Sequence, residues 1–418
     1  MNVPHARRVK VRARQAWLLL AGGISVLATS GCGAIGTSST SASSATGTPG
    51  AGTGTPTPVN NIQSIQVSVG TTTTEVNQLL TSVTICVPNT ATCQTISNVI
   101  VDTGSVGLRV VSPVVTLAVP RVSDDSGNPL GNCVSFVNGA YAWGPMATAD
   151  IQLAGEKASS VPIQLMADSS FPAVPSACDT GSAVSASTLG ANGILGVGVL
   201  QQDCGSACTG STPPSIYFGC PSSGCAAEAV SLEQQLQNPV SLFPQDNNGL
   251  IISLPTINDT GGQLVSGSLT FGVGTQSNNA LSTVQIYTTD ANGNFTITFN
   301  NSTYTNSFLD SGSNGIFFLN SAALGIPACS DNTSFYCPSS TVNYSALATG
   351  ANGVGNTIAF GIANADSLFA TGNTAFDDLG GPSASGFDFG LPFFFGRYVY
   401  VAIEGRSTSA GAGPYVAF

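Results

Sequence analysis

Histidine is almost missing from these 418 residues: the one His is His5. Lys and Arg together number ten, and five of them, Arg7, Arg8, Lys10, Arg12 and Arg14, sit in the first fourteen positions. That stretch has the build of an export signal, with a basic start, an apolar run over 16–26 and small residues up to Gly31. Once it is removed, the chain keeps no His and a single Lys, Lys157. Ser-His and Cys-His catalysis are thereby excluded, as are His-bearing metal sites, and a Ser-Lys dyad would have to use Lys157. Five cations then face 21 Asp and Glu, a net charge of −16 that argues against nucleic acid and anionic lipid as partners; solubility is the simpler role for it. Charged residues make up 7% and aromatics 7%, so long salt-bridged helices are not expected; the abundant Gly, Ser, Thr and small apolar residues favour short strands and turns. A membrane-spanning helix needs about 20 apolar residues. The N-terminal run is shorter and is broken by Gly22, Gly23 and Ser25.

What is present begins with cysteine. Leu27-Ala28-Thr29-Ser30-Gly31-Cys32 resembles the bacterial lipoprotein signal, although Thr29 stands where Leu is usual; ordinary signal cleavage is the alternative. The resemblance implies that 1–31 is removed, that Cys32 is lipidated, and that the protein is held in the bacterial cell envelope by that lipid. Gly33, in place of Asp, implies the outer membrane. Residues 32–60, rich in Gly, Ser, Thr and Pro, read as a flexible tether. The other ten cysteines are Cys86, Cys93, Cys133, Cys178, Cys204, Cys208, Cys220, Cys225, Cys329 and Cys337. An even count in an exported chain reads as disulfides. Spacing suggests Cys86–Cys93 and Cys329–Cys337, and elimination leaves Cys133–Cys178. The cluster 204/208/220/225 allows three pairings, and the sequence does not choose among them. A metal reading of its C-x3-C and C-x4-C spacings is weaker without His in an oxidising compartment. No metal or cofactor is expected.

One segment occurs twice. Val99-Ile100-Val101-Asp102-Thr103-Gly104-Ser105-Val106-Gly107-Leu108-Arg109-Val110 and Ser307-Phe308-Leu309-Asp310-Ser311-Gly312-Ser313-Asn314-Gly315-Ile316-Phe317-Phe318 share the pattern apolar, apolar, Asp, Thr/Ser, Gly, Ser, x, Gly, apolar. The tripeptide Asp-(Ser/Thr)-Gly alone is uninformative. It also begins at Asp125, Asp179 and Asp259, where turn formers explain it. Only Asp102 and Asp310 have apolar strands on both sides. Gly lets such a loop turn sharply and approach a partner, and the hydroxyls of Thr103, Ser105, Ser311 and Ser313 can fix loop and carboxylate. Two carboxylates about 3 Å apart share a proton, so one can act as base and the other as acid.

At these residues the chain resembles the pepsin-like aspartic proteases. The family threads an apolar-apolar-Gly strand behind each catalytic loop. Here Asn192-Gly193-Ile194-Leu195-Gly196-Val197-Gly198 and Phe387-Asp388-Phe389-Gly390-Leu391-Pro392 occupy the corresponding places, with Gly196 94 residues past Asp102 and Gly390 80 past Asp310. The resemblance covers roughly 75–418 and extends to a group of bacterial lipoproteins of unknown function. It implies a mainly β, bilobal fold with an inter-lobe cleft, with lobes at 61–245 and 246–418. Asp102 and Asp310 would be catalytic, a peptide or protein would be the substrate, and the protein would be a monomer. The implied activity is that of an aspartic endopeptidase. The alternative is a catalytically inactive surface-binding or structural lipoprotein with the same fold; a repetitive β-rich adhesin fits the second supporting strand poorly.

The departures are specific. Arg109 stands where the family has Trp, and it becomes a candidate subsite residue selecting acidic side chains. The flap Tyr has no direct equivalent: Phe136 or Val137 aligns with it, and Tyr141 and Trp143 are nearby substitutes. Asp388 replaces an apolar residue. Residues 33–108 contain no Lys or Arg, so no basic prosegment is expected. Elsewhere, strands are expected over 83–86 and 93–101 as a stapled hairpin, and over 149–153, 250–254, 267–271 and 294–299. A helix is expected over 226–237, and a Cys-rich surface loop over 200–226. If the anchor is as read, Cys32→Ala releases the protein from membrane fractions or leaves unprocessed precursor. Unchanged membrane association of a processed variant refutes it.

Overall fold

The computed structural model describes residues 60–72, 75–136, 139–179, 181–384 and 386–418. The expected signal, Cys32, the tether up to residue 59, and Val137 lie outside them. The described chain is mainly β, and its longest α-helix among those residues is Ala365–Ala370.

In chain order the first half contributes β1 (Ile62–Ser68), β2 (Gln78–Cys86), β3 (Cys93–Asp102), β4 (Val106–Val111), β5 (Leu130–Ser135), β6 (Tyr141–Leu153), β7 (Glu156–Met166), β8 (Gly193–Val197), β9 (Tyr217–Gly219) and β10 (Ala226–Ala227). The second half adds β11 (Gly249–Ser253), β12 (Val265–Phe271), β13 (Ile286–Thr288), β14 (Phe295–Phe299), β15 (Ser302–Leu309), β16 (Ile316–Phe317), β17 (Val342–Thr349), β18 (Gly355–Ile362), β19 (Gly380–Gly381), β20 (Asp388–Phe389) and β21 (Tyr398–Ala402). One sheet of fifteen strands takes in β1–β13, β21 and the C-terminal strand Tyr415–Ala417, and a seven-stranded sheet holds β14–β20. Antiparallel pairing of β1 with β12, Val67 opposite Val265, carries the large sheet across the 245/246 position without a break.

Side-chain patterns explain which strands sit where. β14 alternates buried and half-buried residues, as a strand with one covered face does. β8 is buried at all five positions because it lies between β3 and β4. A short run of small and branched apolar residues suits a strand with neighbours on both edges and cover on both faces.

The threading behind the two motifs is duplicated. β8 runs parallel to β3, Asp102 opposite Gly196, and antiparallel to β4. β20 runs parallel to β15, Leu309 opposite Phe389, and antiparallel to β16.

All five disulfides form: Cys86–Cys93, Cys133–Cys178, Cys204–Cys208, Cys220–Cys225 and Cys329–Cys337. The four-cysteine cluster therefore pairs with nearest neighbours. Two expectations need correction. The helix over 226–237 does not form: Ala226 and Ala227 pair with Gly219 and Phe218 just beyond the Cys220–Cys225 clip. The following backbone N–H groups go to partners outside the segment, Glu228 to the Tyr217 carbonyl and Val230 to that of Cys208. Tertiary hydrogen bonds override a modest helix preference. Nor is 200–226 merely a surface loop, since Cys204, Cys208, Tyr217, Phe218 and Cys220 are buried.

Aromatic residues concentrate behind the second motif. Phe318, fully buried, has the rings of Phe299, Tyr336, Tyr344, Phe360 and Phe387 around it, with centroids 5.1 to 6.1 Å away. Truncating a residue so enclosed leaves a cavity its rigid neighbours cannot close. Phe318→Ala should cost about 3–5 kcal/mol in urea unfolding, and Phe318→Leu, which keeps more of the volume, should cost less.

Candidate active site

Asp102 ends β3 and Asp310 follows β15, and both side chains are fully buried. Each is held in the same way by its own loop. Asp102 Oδ1 accepts the Gly104 N–H at 2.8 Å, and its Oδ2 accepts the Ser105 hydroxyl. Asp310 Oδ1 accepts the Gly312 and Ser313 N–H groups at 2.9 and 3.1 Å, and its Oδ2 accepts the Ser313 hydroxyl at 3.0 Å.

The residue after each Asp clasps the opposite loop. The Thr103 hydroxyl donates to the Leu309 carbonyl at 3.1 Å and accepts the Ser311 N–H at 2.9 Å. The Ser311 hydroxyl donates to the Val101 carbonyl at 2.8 Å and accepts the Thr103 N–H at 3.1 Å. Four reciprocal bonds thus join residues more than 200 apart in sequence.

Glycine is required where the loops meet. A Cβ on Gly104 would stand 2.5 Å from Asp310 Cγ, and one on Gly312 would stand 2.7 Å from Asp102 Oδ1. Neither carboxylate could be approached so closely by a loop bearing a side chain.

The two carboxyls also hydrogen-bond each other. Burial raises the proton affinity of both. For Asp310 the negative charges of Asp102 and Asp388 add to it, so its pKa lies well above the usual carboxylate range. For Asp102 the Ser105 hydroxyl, Asp310, the Gly104 N–H and the Arg109 guanidinium work the other way, and the rise is smaller. The charged surroundings thus differ: two carboxylates act on Asp310, whereas a guanidinium acts on Asp102. Chemically, such a pair offers a base and an acid in one place.

A family model matches residues 57–418. The chain belongs to that family, described as a protein of unknown function (DUF3443). No curated protein matches it. Among solved structures it is similar to an aspartic proteinase from Irpex lacteus, at 15% identity and a TM-score of 0.50 over 85% of this chain and 96% of that one. The likeness is one of fold: this DUF3443 chain has the mainly β, pepsin-like architecture.

Arg109, the candidate subsite residue, is buried and paired with an acid. It is 1% exposed on β4, donates to the Val106 carbonyl at 2.7 Å, and forms an ion pair with Asp203 at 3.2 Å. Asp203 Oδ1 also accepts the Tyr217 hydroxyl at 2.6 Å, which in turn accepts the Leu236 N–H at 2.7 Å. Burial raises the Asp203 pKa against the opposing pull of Arg109. The charge of Arg109 reaches Asp102. Phe136, Tyr141 and Trp143 are likewise packed inward. Phe136 joins a cluster with Leu80, Ile100 and Val111. Tyr141 donates its N–H to the Ser182 carbonyl and accepts that of Val184. Trp143 packs on Phe171 and Phe218 and donates its indole N–H to the Pro172 carbonyl.

Asp203 and Tyr217 carry no motif, and only folding shows that they meet Arg109. Asp388 did leave a signal, as a charge inside an apolar run. A buried ion pair is costly to halve. Arg109→Met should therefore destabilise the protein by about 3–5 kcal/mol, and Arg109→Met with Asp203→Leu should recover much of that loss in chemical denaturation. Neutrality of the single variant would contradict the buried pair.

Proposed function

We propose that this chain is an aspartic endopeptidase in which Asp102 and Asp310 activate a water molecule against a peptide bond. The observation that carries the reading is the matched hydrogen bonding of two buried carboxyls that also bond each other. Ionised Asp102 takes a proton from water as the water oxygen bonds to the carbonyl carbon. Asp310 gives its proton to the carbonyl oxygen. Collapse of the resulting gem-diol breaks the C–N bond: Asp102 returns the proton it had taken to the departing amine nitrogen, and one diol hydroxyl gives its proton to Asp310, which leaves a carboxylic acid, an amine and the starting protonation of the pair. Thr103 and Ser311 hold the loops in register, and no cofactor or metal takes part. The substrate is a peptide or protein bound between lobes at 61–245 and 246–418.

We further place the protein, as a monomer, at the outer membrane of a bacterial cell envelope. The signal 1–31 is removed, Cys32 is lipidated, and the tether holds the folded body away from the membrane. Among the described residues no helix is long and apolar enough to cross a membrane.

A second reading, an inactive binding lipoprotein, is favoured by one observation. Both carboxyls have zero exposure, and Tyr141 and Trp143 on β6, in the hairpin expected to form the flap, are packed in the interior, with β5 tied by Cys133–Cys178. Substrate entry then requires the site to open.

Assays with denatured casein separate the two readings. The expected result is cleavage with a bell-shaped pH profile, because Asp102 must be ionised and Asp310 protonated. Activity is lost as pH falls through the first titration and again as pH rises through the second. A statine-type inhibitor blocks it. Asp102→Asn and Asp310→Asn each abolish it, and Thr103→Ala weakens it less. No cleavage from about pH 3 to 8, a range bracketing free carboxylates and neutrality, selects the binding reading. Activity surviving both Asn substitutions places the chemistry elsewhere.

A further inference from the structure

Asp388 belongs to neither duplicated loop. It lies on β20 behind the second motif, opposite Phe308 of β15 and Phe317 of β16, and is 6% exposed. The Ser313 hydroxyl stands 3.0 Å from Asp310 Oδ2 and 2.9 Å from Asp388 Oδ2. A serine hydroxyl has one proton and can donate to one of them at a time. Two short oxygen contacts with one hydroxyl proton need a second proton, carried by one of the carboxyls. Among the described residues the first loop shows no such bridge: Ser105 donates to Asp102 Oδ2, and the charged groups that act on Asp102 are Asp310 and the cation of Arg109. Those acting on Asp310 are Asp102 and Asp388.

We propose that Asp388 is a positioning residue of the carboxyl pair: acting through the Ser313 hydroxyl, it keeps the shared proton on Asp310. When Asp388 is ionised, it draws the Ser313 proton to itself. Asp310 Oδ2 then loses the donor that would favour its charged form, and it also faces a second negative charge. Both effects hold the proton on Asp310. An apolar residue at 388 would leave the Ser313 hydroxyl to Asp310 and lower its hold on the proton.

The inference rests on the peptidase reading for its kinetic readout alone, so a second readout is independent of turnover. Asp388→Asn preserves shape, and its amide can donate to Ser313, freeing the hydroxyl for Asp310. Asp388→Leu removes the like charge and covers the case in which the Asn variant does not fold. Either should move the alkaline limb of the pH–rate profile about one unit toward acid, a tenfold change in proton affinity, and leave the acid limb in place. The infrared band of the protonated carboxyl should disappear over the same lower range. With Ser313→Ala in the background, the shift caused by Asp388→Asn should shrink to the part that the lost negative charge contributes by itself. An unmoved infrared midpoint in the folded variant overturns the proposal, even if casein is cleaved normally. A moved midpoint in a protein that cleaves nothing upholds it and defeats the peptidase reading alone.

Discussion

Two carboxyl groups are buried against each other at the point where the halves of the duplicated motif meet, and most of the surrounding structure answers the cost of putting them there. An isolated buried carboxylate is expensive, and two adjacent ones cannot both be ionised cheaply. Each is therefore met by a Gly N–H and a Ser hydroxyl from its own loop. The loops are locked by the Thr103 and Ser311 clasp, and their close approach excludes any side chain at Gly104 and Gly312. β8 and β20, threaded behind the loops, fix the strands that deliver both residues.

The symmetry of the clasp is broken by what lies behind it. A guanidinium in the first half acts on Asp102, and a carboxylate in the second half acts on Asp310. Opposite charge favours ionisation and like charge disfavours it, so the two environments drive the proton in one direction. Similar loops thereby sit in different charge environments. Arg109 itself needs a counter-charge to be buried, and Asp203 with Tyr217 supplies it. A substitution that looks disruptive in isolation is thus compensated locally. Arg109 thereby brings a positive charge to the first half of the pair.

The fold's outline was legible because its signals are local and repeated. The motif copies at 99–110 and 307–318 and the strands 193–197 and 387–390 carry their own apolar patterns. Cys86–Cys93 and Cys329–Cys337 follow from spacing. What sequence could not give are pairings made at a distance. Asp203 finds Arg109 across 94 residues, and Asn77 hydrogen-bonds the Asn314 and Phe376 carbonyls and the Phe376 N–H across more than 230. The helix expected over 226–237 failed for the same reason, since β9 and the Cys204–Cys208 loop claim its N–H groups. Burial of Arg109, Tyr141 and Trp143 depends on packing by neighbours that no motif announces.

The central claim is that Asp102 and Asp310 form one acid–base pair. The most direct measurement is a crystal structure of the mature protein at acidic pH with a statine-type inhibitor bound. The account predicts the inhibitor's hydroxyl seated between the two carboxyls, within about 3 Å of an oxygen on each. Carboxyls more than about 8 Å apart, beyond any hydrogen bond, or a hydroxyl seated away from both, would contradict it.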